Sequence, residues 1–136
     1  MKFNKLIPEL SVSDLAKSLK FYRDILGFKV EYERKEDNFV FLSCEGSQLM
    51  LHKENGTWKT GKLEKPFGRG INFQIEVKEI NNILEVINKN NIPLFREIKE
   101  NWYRQGDRLL GNLEFLILDP DGYLLRFAQD LGNKSL

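Results

Sequence analysis

Histidine and cysteine are almost absent from this chain of 136 residues, which contains one of each, His52 and Cys44. A single cysteine forms no internal disulfide and no cysteine-based zinc site. A single histidine forms no two-histidine metal site within one subunit. Cys44 lies in an apolar run, where we expect a buried and unreactive thiol.

Neither positive nor negative charge dominates, because 21 basic and 20 acidic side chains give a net charge of +1. A nucleic-acid-binding protein usually has a basic surplus, so we expect no nucleic-acid partner. No apolar run approaches the ~20 residues that a membrane span needs. Charged residues also interrupt the N-terminal region where a signal peptide would lie. We therefore expect a cytoplasmic protein without a membrane partner.

The first half of the chain has the pattern of a strand, a helix and three further strands. A strand is predicted over 5–12, and Ser13 or Asp14 then caps a helix whose apolar residues recur at helical spacing. Gly27 is predicted to end this helix, since glycine adopts the left-handed conformation without strain. Charged or glycine-containing breaks separate the next three strands, which are predicted at 28–34, 38–44 and 48–53.

The second half repeats this order. A strand is predicted over 70–77 and a helix over 79–90, and extended runs follow at 94–100, 112–118 and 123–129. The Asp119-Pro120-Asp121-Gly122 segment predicts a tight turn between the last two runs.

The repeat predicts an α+β fold of tandem β-α-β-β-β modules, with curved mixed sheets and helices on the outside. A module of this size has one apolar sheet face and no core of its own, so it must pair with another. We expect one domain over 1–136, with module 1 at about 1–54, a linker at 54–69 and module 2 at about 70–130. Paired concave sheets enclose a space suited to a small molecule.

Two motifs carry a resemblance to a known group. VSDLAKSLKFYRDILGFKV at 12–30 and FLILDPDGYLLRF at 115–127 are similar to the opening strand–helix and closing hairpin of the vicinal-oxygen-chelate superfamily, which includes glyoxalases, dioxygenases and bleomycin-resistance proteins. Leu6-Ile7-Pro8, Asn38-Phe39, the INFQIEV strand and Asn101-Trp102-Tyr103 most resemble the bleomycin-resistance branch. This resemblance implies a homodimer that binds a small molecule in a cleft at the subunit interface.

The resemblance also locates four positions at which enzymes of the superfamily hold a divalent cation. They correspond here to Ile7, Met50, Ile71 (or Asn72) and Arg126. Isoleucine and methionine do not bind a hard cation, and arginine repels one. We therefore expect neither a metal nor another cofactor, and no catalytic residue is assigned.

Four residues of the first half are candidate ligand contacts. Phe39 could form a wall of the cavity, and strand alternation places Met50 and His52 on one face. His52 is either a flat stacking surface, as the resemblance implies, or a partly exposed strand histidine without a role. Trp58, in the long linker, is either a lid over the cavity or an anchor for its own loop.

Four residues of the second half complete the candidate set. The resemblance implies that Trp102 stacks on a planar ligand while Tyr103 or Asp107 forms a hydrogen bond with it; the alternative is that this cluster fills an interface or the core. Arg126 either pairs with an internal acid, for which Glu114 is the candidate, or faces an anionic or carbonyl group of the ligand.

The function expected from this set is the metal-free binding and sequestration of an antibiotic or similar planar compound. Bleomycin-like antibiotics are cationic and carry flat rings, which suits aromatic walls with acids such as Glu54 and Asp107 at the rim. The alternatives are a glyoxalase-like lyase or a dioxygenase-type metalloenzyme, or a binder of another metabolite.

Overall fold

The computed structural model describes all 136 residues and contains eight strands and two α-helices. The strands are β1 (Glu9–Val12), β2 (Lys29–Arg34), β3 (Phe39–Cys44), β4 (Ser47–Lys53), β5 (Asn72–Glu76), β6 (Arg96–Gln105), β7 (Arg108–Leu118) and β8 (Leu124–Ser135). The helices are α1 (Leu15–Leu19), which continues as a π-helical segment (Lys20–Ile25), and α2 (Ile80–Lys89). Contacts divide the chain into two compact units.

The first unit comprises Met1–Phe67 together with Pro120–Gly122. Its sheet has the order β1-β4-β3-β2, with β1 parallel to β4 and the other pairs antiparallel. Asp14 is the N-cap of α1, because its carboxylate accepts a hydrogen bond from the Lys17 N–H at 3.1 Å. The predicted stop also holds, since Gly27 has φ +81° directly after the helical segment.

One face of this sheet is the apolar core of the unit, and α1 packs against β4 there. Successive strand residues point to opposite faces, so alternate positions supply this side. Its buried residues are Leu10, Val12, Val40, Leu42, Leu49 and Leu51. The other face carries Ser11, Phe39 and His52.

The second unit comprises Gly68–Asp119 and Tyr123–Leu136. Its sheet has the order β5-β8-β7-β6, with β5 parallel to β8, and thus repeats the topology of the first sheet. Its largest fully buried side chains are Ile80, Ile87, Phe115, Ile117, Leu125 and Phe127. The predicted fold class, tandem β-α-β-β-β modules with mixed sheets, is confirmed.

The last three strands are longer than the predicted runs 94–100, 112–118 and 123–129. β6 continues to Gln105 and β7 starts at Arg108, because Gly106 and Asp107 form a tight turn in which Gly106 has φ +60°. β8 extends to Ser135 through pairing with β7, although Gly132 and polar residues occupy its end. The cross-strand ladder outweighs their low strand propensity.

Cys44 is half-buried rather than fully buried, and burial raises the pKa of its thiol to about 11, which disfavours the reactive thiolate. None of the helices is both long and apolar enough to cross a membrane.

Candidate functional site

The second face of the first sheet brings polar and aromatic side chains together. The strand register pairs Ser11 with His52 and His52 with Phe39, so these three residues share a face. Glu9 and Met50 lie one alternation further along the same face. These polar and aromatic residues therefore lie on the face of the sheet opposite the apolar core.

A pocket of about 390 Å³ opens at one end of this face. Phe39, His52 and Trp58, all predicted to contact a ligand, line it together. The remaining lining residues are Glu9, Arg34, Glu36, Asp37, Asn38 and Asn55. Met50 lies on the same face of the sheet but does not line the pocket. The volume is in the range of small-molecule sites.

His52 is buried, with 3% of its surface exposed, and each ring nitrogen faces a different side chain. Its Nε2 lies 2.8 Å from the Ser11 Oγ in a hydrogen bond. Its Nδ1 lies 2.9 Å from the Glu9 Oε2, but this contact lacks hydrogen-bond alignment, so Nδ1 is a buried atom without a hydrogen-bond partner. Of the two alternatives for His52, the partly exposed strand histidine does not fit this burial, and the stacking role stays a prediction.

The carboxylate beside Nδ1 favours the tautomer that carries its proton on that nitrogen. Nε2 then accepts the hydrogen bond that the Ser11 hydroxyl donates. The imidazole thus lies between a hydroxyl that is hydrogen-bonded to it and a nearby carboxylate, and histidine is the side chain that most often acts in proton transfer. Ser11 is not among the lining residues, so the groups that a bound molecule would meet are Glu9 and His52.

Phe39 lines the pocket, and it lies beside two further rings, Tyr32 and Phe41, that are not lining residues. Tyr32 stacks on Phe41 with a centroid separation of 5.2 Å and lies 5.9 Å from the Phe39 ring. The Arg34 guanidinium carbon stands 4.0 Å above the Phe39 ring centroid, and the Arg34 Nε donates to the Asp37 Oδ2 at 3.1 Å. The Phe39 ring is a stacking surface that a side chain of the protein itself already covers.

Trp58 stands at the rim of the pocket, with 67% of its surface exposed. It follows Glu54, whose carboxylate accepts from the Gly56 N–H at 2.8 Å and pairs with Lys59 at 3.1 Å. The hydrogen bond to Lys59 is the main reason that the Glu54 pKa is lowered. These contacts tie down the start of the linker, and the Trp58 ring remains accessible to a ligand.

The second unit contains a separate polar cluster centred on Glu114. This buried carboxylate lies 3.5 Å from the Arg126 Nη1 and accepts a hydrogen bond from the Tyr103 hydroxyl at 3.1 Å. Burial, and then the hydrogen bond to Glu114, raise the pKa of the Tyr103 phenol. The expected pairing of Arg126 with Glu114 is confirmed, while the Arg126 Nε is buried without a hydrogen-bond partner.

Trp102 is not part of this cluster. It follows the strand alternation of β6 and so lies on the opposite face of the sheet from Tyr103. Its ring packs on Gly111, its Nε1 donates to the Glu100 Oε2 at 2.9 Å, and the Lys134 ammonium stands 3.9 Å from the ring centroid. Trp102 and Tyr103 therefore face opposite sides of the sheet, and the predicted stacking of Trp102 on a ligand stays a prediction. Asp107 lies apart, exposed in the β6–β7 turn.

The four positions at which the resemblance implies metal ligands do not fit a cation here. Ile7 and Met50 are half-buried and offer no hard donor, Ile71 is exposed and apolar, and Arg126 is paired with Glu114. Nowhere in the chain do three His, Cys, Asp or Glu side chains converge closely enough to hold a metal ion.

Comparison with known proteins gives the family. The family model of the Glyoxalase/Bleomycin resistance protein/Dioxygenase superfamily matches residues 6–127. With its repeated β-α-β-β-β topology, the chain belongs to this superfamily.

The relatives include a resistance protein and an enzyme. The chain is 28% identical to a bleomycin resistance protein of Geobacillus stearothermophilus, over 92% of this chain and 96% of the relative. It is also 28% identical to a lactoylglutathione lyase of Haemophilus influenzae, over 93% and 92%. The crystal structure of TioX from Micromonospora sp. ML1 has the same fold, with a TM-score of 0.69 at 14% identity, covering 95% of this chain and all (100%) of TioX.

Proposed function

We propose that the protein binds a flat, cationic small molecule of the bleomycin type in the pocket lined by Phe39, His52 and Trp58, and sequesters it without chemical change. The pocket itself is the observation that carries the proposal, because it combines aromatic surfaces with an excess of acids. The similarity to bleomycin resistance proteins supports the same class of ligand. As part of this proposal, two copies form a homodimer with the binding cleft at their interface.

The charges of the pocket favour a cation. Three carboxylates line it, those of Glu9, Glu36 and Asp37, against one guanidinium, that of Arg34. Acids around a concave surface raise the local concentration of positively charged ligands. Aromatic rings supply large contact areas at low entropy cost, and a cation over a ring face is attracted to it. Four further residues remain proposed ligand contacts that mutation can test: Met50, Tyr103, Asp107 and Arg126.

Fluorescence titration with bleomycin tests this proposal. Binding in the pocket quenches Trp58, because its exposed ring stands at the rim. We expect saturable quenching at micromolar ligand, and loss of this quenching in Trp58→Phe. Trp102→Phe should keep the quenching, because Trp102 contacts Glu100 and Lys134 in the second unit and does not line the pocket. Calorimetry on Trp58→Phe separates loss of the reporter from loss of binding. Absence of binding to the wild-type protein would refute bleomycin as the type of ligand.

Sedimentation velocity tests the dimer separately. A concentration-independent species of twice the chain mass of 16.0 kDa is expected. If the protein is monomeric at all concentrations and still binds bleomycin, the proposed dimer and its interface cleft are refuted. Binding in the pocket of a single chain would still stand.

An enzyme of the lyase type is the second candidate, and the Glu9–His52 contact at the pocket wall favours it. A histidine with an orienting acid can act as a general base. The test is formation of lactoylglutathione from methylglyoxal and glutathione, with and without added divalent metal. Turnover that is lost in His52→Gln would favour the enzyme; absence of turnover under all conditions would favour sequestration.

A further inference from the structure

A side chain of the protein already occupies the stacking surface of the proposed binding pocket. The Arg34 guanidinium carbon lies 4.0 Å from the Phe39 ring centroid, within cation–π distance. The same guanidinium donates through Nε to the Asp37 carboxylate at 3.1 Å. Phe39 is 5% exposed, so the ring has little free surface while Arg34 is in place. Arg34 thus shows which chemical group this corner of the pocket accommodates.

We propose that Arg34 acts as an internal mimic of the ligand, and that the pocket takes a flat delocalised cation, an amidinium or guanidinium group, in its place. The ligand group then stacks on Phe39 and pairs with Asp37, the two partners that Arg34 releases. This inference rests on the proposed function and specifies the chemical group that determines ligand selectivity.

Arg34 is held weakly enough to be displaced. The side chains of Arg34 and Asp37 are 47% and 58% exposed, and an exposed ion pair contributes little to stability. A cation–π contact at an exposed site is similarly modest. Arg34 also lies at the end of β2, an edge strand of its sheet, so its side chain can leave without disturbing the core. The ligand therefore competes with a contact of low strength.

Displacement also improves the charge of the site. With Arg34 in place, its guanidinium offsets part of the negative charge of Glu9, Glu36 and Asp37. When Arg34 swings into solvent, those three carboxylates face a cationic ligand without a competing positive charge at the same surface. A neutral flat molecule would stack on the Phe39 ring but would not pair with the carboxylates. A compact ammonium would pair with the carboxylates but would fit the ring less well.

Three small probes of similar size separate these contributions: benzamidine, which is flat and cationic; benzamide, which is flat and neutral; and benzylamine, which carries a compact ammonium. Their affinities for the wild-type protein, Arg34→Ala and Arg34→Lys are measured by NMR titration at 0.15 M salt, where long-range charge effects are largely screened. We expect benzamidine to bind about fivefold more tightly to Arg34→Ala than to the wild-type protein. The affinities of the other two probes should rise by about twofold at most. Arg34→Lys keeps the charge but lacks the flat group, so part of the benzamidine gain persists.

The partners of Arg34 supply the controls. In an Arg34→Ala background, Asp37→Asn should remove most of the benzamidine gain, and so should Phe39→Leu, which keeps an apolar side chain without the ring. Asp37 is exposed, so its variant carries the test even if Phe39→Leu fails to fold.

Equal gains for all three probes, or no gain for benzamidine, would overturn the inference. Bleomycin binding that is indifferent to Arg34 would refute this inference and leave the proposed function standing. Selective benzamidine binding without bleomycin binding would refute the proposed ligand type and leave the inference.

Discussion

A buried histidine whose two ring nitrogens face different side chains lies at the pocket of the first unit. The ring of His52 is held at Nε2 by the Ser11 hydroxyl and faces the Glu9 carboxylate at Nδ1. A buried polar group without a partner is costly, so the Ser11 contact offsets part of the cost of placing an imidazole inside the sheet. Nδ1 stays buried beside the Glu9 carboxylate without a hydrogen-bond partner, so the Ser11 contact is what orients the ring.

Ser11→Ala tests the first of these contacts. The substitution leaves the buried Nε2 of His52 without this hydrogen bond, so we expect the free energy of unfolding to fall by about 1–2 kcal/mol. Urea denaturation measures it. Ser43→Ala on β3 is the matched control, because its half-buried hydroxyl donates to the Glu31 carboxylate away from the pocket. Equal losses in the two variants would contradict a special role for the Ser11 hydroxyl.

The sequence predicts three of the nine residues that line this pocket. Phe39, His52 and Trp58 were predicted from strand pattern and resemblance, and they line one pocket. Glu9 and Ser11 were missed because the parallel pairing of β1 with β4 joins segments 41 residues apart, and a pattern within one strand does not fix such a register. The available signal was the alternation in ELSV, which puts both polar residues on one face.

At the level of elements, the β6–β7 hairpin shows how strand alternation sorts neighbouring residues. Trp102 and Tyr103 are adjacent in β6, yet Trp102 packs on Gly111 and Tyr103 bonds to Glu114 on the other side of the sheet. The sequence predicts this strand only up to residue 100, so strand alternation at Trp102 and Tyr103 could not be predicted from it. The glycine opposite the indole is the residue that permits its position.

Gly111→Ala tests this packing. An added Cβ would stand 2.5 Å from the Trp102 ring carbons, so the ring must move or the strands must separate. We expect a loss of about 2 kcal/mol in the free energy of unfolding, in the range of overpacking substitutions. Gly61→Ala, where an added Cβ meets nothing within 4 Å, should change stability little. Combining Gly111→Ala with Trp102→Leu should recover most of the loss, and a failure to recover would assign the cost to the backbone of Gly111.

The helices and the repeat were more predictable than the long hairpin. Asp14 and Gly27 bound the first helical segment through side-chain and backbone properties that are local in sequence. The ends of β6, β7 and β8 depend instead on partners in neighbouring strands, and residues 130–135 are too polar to predict a strand by themselves. Local rules therefore gave the order of the elements, and pairing between strands set their lengths.

At the level of the whole molecule, the chain does not divide at a single point. Pro120–Gly122 belong to the first unit, although the chain before and after them forms β7 and β8 of the second. Asp121 is buried there; its carboxylate accepts from the Ser13 N–H at 3.0 Å and from the Ser13 hydroxyl, and its carbonyl accepts from the Phe67 N–H at 2.8 Å. The first unit cannot be completed without a segment that the second repeat supplies.

This connection predicts that the chain unfolds in one cooperative transition, since loss of the second repeat removes Asp121 from the first unit. Calorimetric and van't Hoff enthalpies should therefore agree. Asp121→Ala removes hydrogen bonds to a buried carboxylate, and we expect it to lower the free energy of unfolding by about 3 kcal/mol and Tm by about 10 °C, with the transition still single. The exposed Asp24→Ala is the control and should leave Tm nearly unchanged, because its pair with Arg23 is exposed. Two resolved transitions in the wild-type protein, or a shift of only one of them in Asp121→Ala, would show that the repeats fold independently.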